Sequence, residues 1–175
     1  MNDIALAAFR SRVTGVFPAQ VRAALASLTE EQVWWRPNEK SNSIGNLVLH
    51  LTGSLNLYLN RNLGGIPYDR NRDAEFAERR TIPKRELLAL FEDMVSKAER
   101  TFTSLTPDSL DAPSPEPTMH SIAFEDLLNV TAHFSTHTGQ ILWIAKMLNE
   151  GAIDDVWIKS HRAEGAWKKR EPRAE

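Results

Sequence analysis

The chain has 175 residues, 42% of them hydrophobic, which suits one compact domain over residues 1–158 followed by a charged tail over 159–175. It contains no cysteine, which excludes disulfides, thiolate metal sites, iron–sulfur clusters and a cysteine nucleophile. A formal charge of -2 provides no broad positive field for a phosphate backbone, so nucleic acid is not an expected partner.

The N-terminus carries an early acid, Asp3, and lacks a basic stretch followed by a continuous apolar run, so it does not read as a signal peptide. No run of about 18 uncharged apolar residues follows, so no membrane span is expected and the predicted location is cytoplasmic. Four segments place apolar residues at helical spacing, and none shows the alternation of a half-buried strand, which predicts an all-α fold.

The first helix is expected from about Asp3 to Leu28, with Leu6, Phe9, Val13, Phe17, Val21, Leu25 and Leu28 in one stripe and a kink at Pro18. Thr29-Glu30-Glu31 caps a short turn that leads to Trp34 and Trp35, and Arg36-Pro37-Asn38 breaks it. The second helix begins at Ser43 as N-cap and stops at Gly64-Gly65. Its interior holds Gly45 and Gly53, each costing about 1 kcal/mol relative to alanine, which points to the close approach of a neighbour.

Residues 64–81 read as a charged connector with a helical turn between Asp73 and Arg80. Within it, Asp69, Arg70, Arg72 and Asp73 are candidates for exposed ion pairs. The third helix starts at Thr81 or Ile82 with Pro83 in its first turn, turns Leu87, Leu88, Phe91, Met94, Val95 and Phe102 inward, and ends at Thr106-Pro107. Three prolines in residues 111–117 make a loop. The fourth helix opens at Ser121 and runs to Asn149, Ile153 to Ile158 form a short cap, and the tail holds His161 and the basic run Lys168-Lys169-Arg170.

Chemistry concentrates in the histidines. His133 and His137 stand one helical turn apart on the same face, the spacing of a chelating pair, although such pairs also arise as polar-core or surface residues. His50 stands among Leu47, Val48, Leu49 and Leu51, where an unpartnered imidazole would be costly, so it needs either a hydrogen-bond partner or a metal. If the second and fourth helices are antiparallel neighbours, His50 and the pair meet at one depth. Asn46, Asn129 and Gln140 lie three or four residues from these histidines and are candidates to orient them or to bind a substrate, or else face solvent. His120 reads as a capping or surface residue, Trp34 and Trp35 as packing, and Trp143 as core or dimer surface. No carboxylate is recognisable as a base beside the three histidines.

Three blocks in order, Asn42-Ser43-Ile44-Gly45-Asn46-Leu47-Val48-Leu49-His50-Leu51, then Asp69-Arg70-Asn71-Arg72-Asp73-Ala74-Glu75-Phe76, then His133-Phe134-Ser135-Thr136-His137-Thr138-Gly139-Gln140-Ile141, resemble the DinB-like (YfiT-type) superfamily. More narrowly, they are similar to a branch of it known as a domain of unknown function. The resemblance covers roughly residues 5 to 150. It implies a four-helix bundle of up-down-down-up order, a long crossover between helices two and three, and often a homodimer. It also implies a divalent ion, zinc or nickel, on His50, His133 and His137.

Such an ion retains an open position. The leading reading is therefore a metal-dependent thiol S-transferase that joins a low-molecular-weight thiol to a small electrophile. The alternatives are a metal-dependent hydrolase and a non-enzymatic metal-binding stress or interaction protein. No Gly-x-Ser-x-Gly elbow, phosphate loop or dinucleotide fingerprint is present.

Overall fold

Each of the four periodic segments folds as a long helix in the computed structural model, which describes residues 1–116, 118 and 120–150. The first stripe forms α1, one continuous helix over residues 2–26. Pro18 has no N–H to donate, and a wider π-helical turn at Ser11–Val16 precedes it, so the helix passes the proline instead of stopping there. Thr29 and Gln32 cap one another at the start of α2, Glu30–Trp34.

Helix α3 covers residues 44–61. At its start the Ser43 hydroxyl accepts the Asn46 N–H and the Asn46 amide oxygen accepts the Ser43 N–H, which satisfies two donors that a bare helix end would leave unpaired. It closes through a π-helical turn, Asn56–Arg61, and the chain leaves at Gly65, whose φ of 65° favours glycine. The connector contains α4, Arg72–Ala77, capped by Asn71. Helix α5, Lys84–Ser104, follows Pro83, and a short 3-10 turn, Pro107–Asp111, precedes α6, Ala123–Leu148.

Among the described residues there is no strand, only the isolated bridge Pro113–Ile122. The fourth helix starts two residues later than expected. Ser121 is not its cap: the residue before the helix is Ile122, which cannot cap, and the Glu125 carboxylate accepts the Ser121 N–H from within the first turn.

The core lies between the four long helices. Val13, Val21 and Leu25 of α1, Leu47, Leu51 and Leu55 of α3, Leu87, Phe91 and Met94 of α5, and Leu127, Phe134 and Ile141 of α6 are all buried. Each such side chain contributes about 1.5–3 kcal/mol on leaving water. Polar contacts fix how the helices meet. Arg10 pairs with Glu99 and Arg22 with Glu92, while the Asn60 amide donates to the Met94 carbonyl.

The Trp34 indole N–H donates to the Ile82 carbonyl at 2.9 Å, and its ring lies where a Cβ on Gly45 would come within 2.7 Å. This is the close approach that the first of the two helix glycines predicts. Trp34 is therefore packing, as expected, whereas Trp143 is 65% exposed and does not belong to the core because it lies on the solvent side of α6.

No helix among the described residues is long and apolar enough to cross a membrane. The expected cap at Ile153–Ile158, the boundary at 158, His161 and the basic run at 168–170 lie outside the described residues.

Candidate metal centre

Helix α3 carries His50 in its middle turn on a buried face, and α6 presents His133 and His137 to it from successive turns. The Nε2 atom of His133 lies 3.0 Å from Nε2 of His50 and 3.1 Å from Nε2 of His137, and the ligand atoms of all three lie within 4.8 Å of one another. Two nitrogens bound tetrahedrally at about 2.0–2.1 Å stand about 3.3–3.4 Å apart, so the spacing is close to that of a shared ion.

The outer nitrogens decide which way the lone pairs point. His50 Nδ1 lies 2.9 Å from Glu75 Oε2. Burial pushes the Glu75 carboxyl upward, but hydrogen bonds from Arg70 and His50 outweigh it and the net shift is downward, so the group is an ionised acceptor. The Arg70 guanidinium also stands 3.2 Å from Nδ1, but the ionised carboxylate is the nearer partner and can only accept. The neutral His50 ring therefore gives its Nδ1 hydrogen to Glu75, and Nε2 keeps a bare lone pair. His137 Nδ1 lies 2.7 Å from the Gln140 amide oxygen, which imposes the same tautomer there.

Both lone pairs face His133 Nε2, which has at most one hydrogen to give. His133 Nδ1 is buried with no hydrogen-bond partner among the described residues, so nothing on its far side sets the tautomer. At least one close N···N contact is left without a hydrogen between the atoms, and a cation at the convergence point satisfies it. Burial and the neighbouring imidazoles push His133 down to about 4, and burial also lowers His137, so at neutral pH both rings are in the neutral form that ligates metals. The donor set fits a divalent ion.

A family model described as "Protein of unknown function (DUF1572)" matches residues 6–162. The chain belongs to this family. No curated protein and no solved structure matches it.

The other residues singled out in this DUF1572 chain take separate places. Gln140 bonds His137, as above. The Asn46 side chain makes no hydrogen bond to a histidine: it is fully buried, and besides capping α3 its amide donates to the Glu75 and Glu78 carbonyls at 3.0 and 3.1 Å, anchoring α4. Asn129 is exposed on α6 and lines a cavity of ≈ 490 Å³ that opens off His50 and His133. His120, expected at the surface, lines the same cavity, as do Tyr58, Arg70 and Arg72.

The expected exposed ion pairs of the connector do not form with Asp69 or Asp73. Arg70 instead grips Glu75 through two hydrogen bonds of 2.8 and 2.9 Å, with both side chains under 10% exposed. Glu75 is also the carboxylate that sequence reasoning missed beside the histidines. Its signal was Gly53: a Cβ there would overlap Glu75 Oε1 and lie 2.8 Å from Cδ, so only glycine leaves room for the carboxylate where it stands against α3.

Proposed function

We propose that this DUF1572 chain binds a zinc or nickel ion through His50, His133 and His137 and acts as a metal-dependent transferase that joins a low-molecular-weight thiol to a small electrophile. The observation that carries this reading is the convergence of Nε2 atoms whose lone pairs have too few hydrogens among them. When bound, a divalent ion on three imidazoles retains an open position and lowers the pKa of a thiol held there. The protein residues do the orienting: Glu75 fixes His50 and Gln140 fixes His137, each by accepting the Nδ1 hydrogen. The cavity beside the triad gives a small molecule access to it.

Glu75 is poorly placed to serve the hydrolase alternative as base. Both its oxygens are engaged by Arg70 and His50, on the side of the His50 ring away from Nε2.

Several contacts support the up-down-down-up, DinB-like arrangement. Arg10–Glu99 and Arg22–Glu92 run in opposed order between α1 and α5, as antiparallel helices require. Phe9–Phe124 and Phe17–Phe134 run in the same order between α1 and α6. Trp34, which packs on Gly45 at the start of α3, donates to Ile82 ahead of α5, and Asn60 near the end of α3 donates to Met94 further along α5, which supports a parallel α3 and α5 joined by a crossing connector. Exposed Trp35, Trp143 and Met147 form an apolar surface suited to a homodimer.

The test is elemental analysis of protein purified without a histidine tag, followed by thiol-consumption and ester-turnover assays. We expect one ion per chain, its loss in His50→Ala and His137→Ala, and metal-dependent thiol consumption with an electrophile. Absence of metal removes the proposal, and metal with ester turnover alone replaces it with the hydrolase.

A further inference from the structure

We propose that the cavity beside the triad contains a subsite for a carboxylate group on the substrate, anchored by Arg72, with His120, Tyr58 and Asn129 around it. The inference rests on the metal reading above and deepens it by naming the substrate class: a small thiol that carries a carboxylate. In a chain with 23 acidic and 21 basic side chains, the residues lining this cavity include two arginines and three histidines and no acid. The two arginines differ in what they have left to offer. Arg70 is bound to Glu75 through two hydrogen bonds and is neutralised by it.

Arg72 has no ion pair and no hydrogen bond among the described residues, and its guanidinium lies 5.0 Å from the centre of the Phe76 ring. Phe76 in turn packs on His50, with ring centroids 4.5 Å apart, which brings the free cation to the edge of the triad. The planar fork of a guanidinium matches a carboxylate with two parallel hydrogen bonds, and one unpaired guanidinium supplies charge for one such group. The His120 imidazole makes no hydrogen bond among the described residues, and the Tyr58 hydroxyl and Asn129 amide supply further donors on the same wall. A volume of ≈ 490 Å³ holds a molecule of a few heavy atoms reaching from the triad to this wall.

The experiment uses the full chain loaded with cobalt(II), whose absorption spectrum reports a sulfur ligand without any turnover. It is titrated with 3-mercaptopropionate and with its uncharged isostere 3-mercaptopropionamide. We expect the acid to bind about tenfold more tightly than the amide, the preference to shrink with added salt, and Arg72→Gln to abolish it while Arg72→Lys keeps part of it. Arg72 is exposed and unpaired, so Arg72→Gln should retain the wild-type cobalt content and melting temperature.

Equal binding of acid and amide, cobalt uptake with no thiol binding, or an Arg72→Gln protein that keeps the full preference each overturn the subsite and leave the metal centre standing. Failure to take up cobalt overturns the metal reading, and the subsite falls with it.

Discussion

Replacing Glu75 with glutamine keeps the shape of the side chain and removes its charge, and the consequences follow from its three partners. Arg70 donates to both oxygens, so the NH2 of the amide meets an Arg70 N–H in either orientation, and at the Oε2 position it meets His50 Nδ1 as well. Arg70 cannot give way because it has no acceptor lone pair. His50 can, by moving its hydrogen from Nδ1 to Nε2, where it blocks the lone pair aimed at the metal position.

Two costs result. Breaking an ion pair whose side chains are 8% and 9% exposed costs about 3–5 kcal/mol. The retained hydrogen bond places Glu75→Gln near the lower end, still a large share of the roughly 5–15 kcal/mol by which domains are stable. Losing the carboxylate that orients a ligand histidine weakens metal binding about 10- to 100-fold. Urea unfolding of metal-free protein reads the first cost, and competition for zinc against a chromophoric chelator reads the second. A folded Glu75→Gln protein with zinc affinity within about twofold of wild type would refute the tautomer argument.

Gly53→Ala and Gly45→Ala place the same methyl group on the same helix and separate packing from the site. Gly45→Ala pushes on the Trp34 ring and should cost about 1–3 kcal/mol in urea unfolding with zinc affinity unchanged, whereas Gly53→Ala displaces Glu75 and should reduce both. Equal effects on affinity would mean that Glu75 does not act through His50.

The metal-free protein should lose stability as pH falls from about 6.5 to about 4. Within that window the unfolded chain protonates His133 while the folded ring, pushed down to about 4, does not, so the unfolded state binds more protons. His137 acts in the same direction, and the Glu75 contribution is lost only at still lower pH because its folded carboxyl titrates below the ordinary range. A urea midpoint that stays flat from pH 6.5 to 4.5 would contradict this. Gln140→Ala removes the acceptor that fixes His137, which is exposed enough to find water instead, so the expected loss of zinc affinity is about tenfold, and an unchanged affinity in the chelator competition would contradict it.

The helices and the pair His133 and His137 were legible because both depend on local periodicity, while His50 was legible from the apolar residues around it. Val13, Val21 and Leu25, or Leu87, Phe91 and Met94, repeat at the spacing that buries one helix face, and His133 and His137 repeat at the spacing that aligns two side chains. Gln140 was legible by the same spacing, but the partner of His50 was not. Glu75 lies 25 residues from His50 in a charged connector, where its neighbours Asp69, Arg70, Arg72 and Asp73 look like equivalent surface charges. Only the fold distinguishes Glu75, by burying it against Gly53. Asn46 was misread for a related reason: a polar side chain one turn from a histidine suggests contact with it, but its place in the first turn of α3 makes capping and anchoring of α4 the stronger demand. His120 reaches the cavity wall from the loop before α6 and Arg72 from the first residue of α4, and no spacing rule joins them.

Two demands of the centre pull the carboxylate in opposite directions, and the connector reconciles them. A buried carboxylate is costly unless it is paired, and a free one beside an ion would compete to ligate it. Arg70 removes the first difficulty by neutralising Glu75, and its grip on both oxygens removes the second by holding the carboxylate to the Nδ1 side of His50. Asn46 then holds the backbone of α4 so that the pair cannot withdraw, and Gly53 supplies the missing volume on α3. Because Arg70 and Glu75 are only five residues apart, this carboxylate–guanidinium unit is formed within the connector and docks on α3 as one piece. The orientation of His50 is therefore set by the connector and not by the helix that carries it, so changes confined to Arg70 and Glu75 should alter metal affinity without touching any of the three histidines.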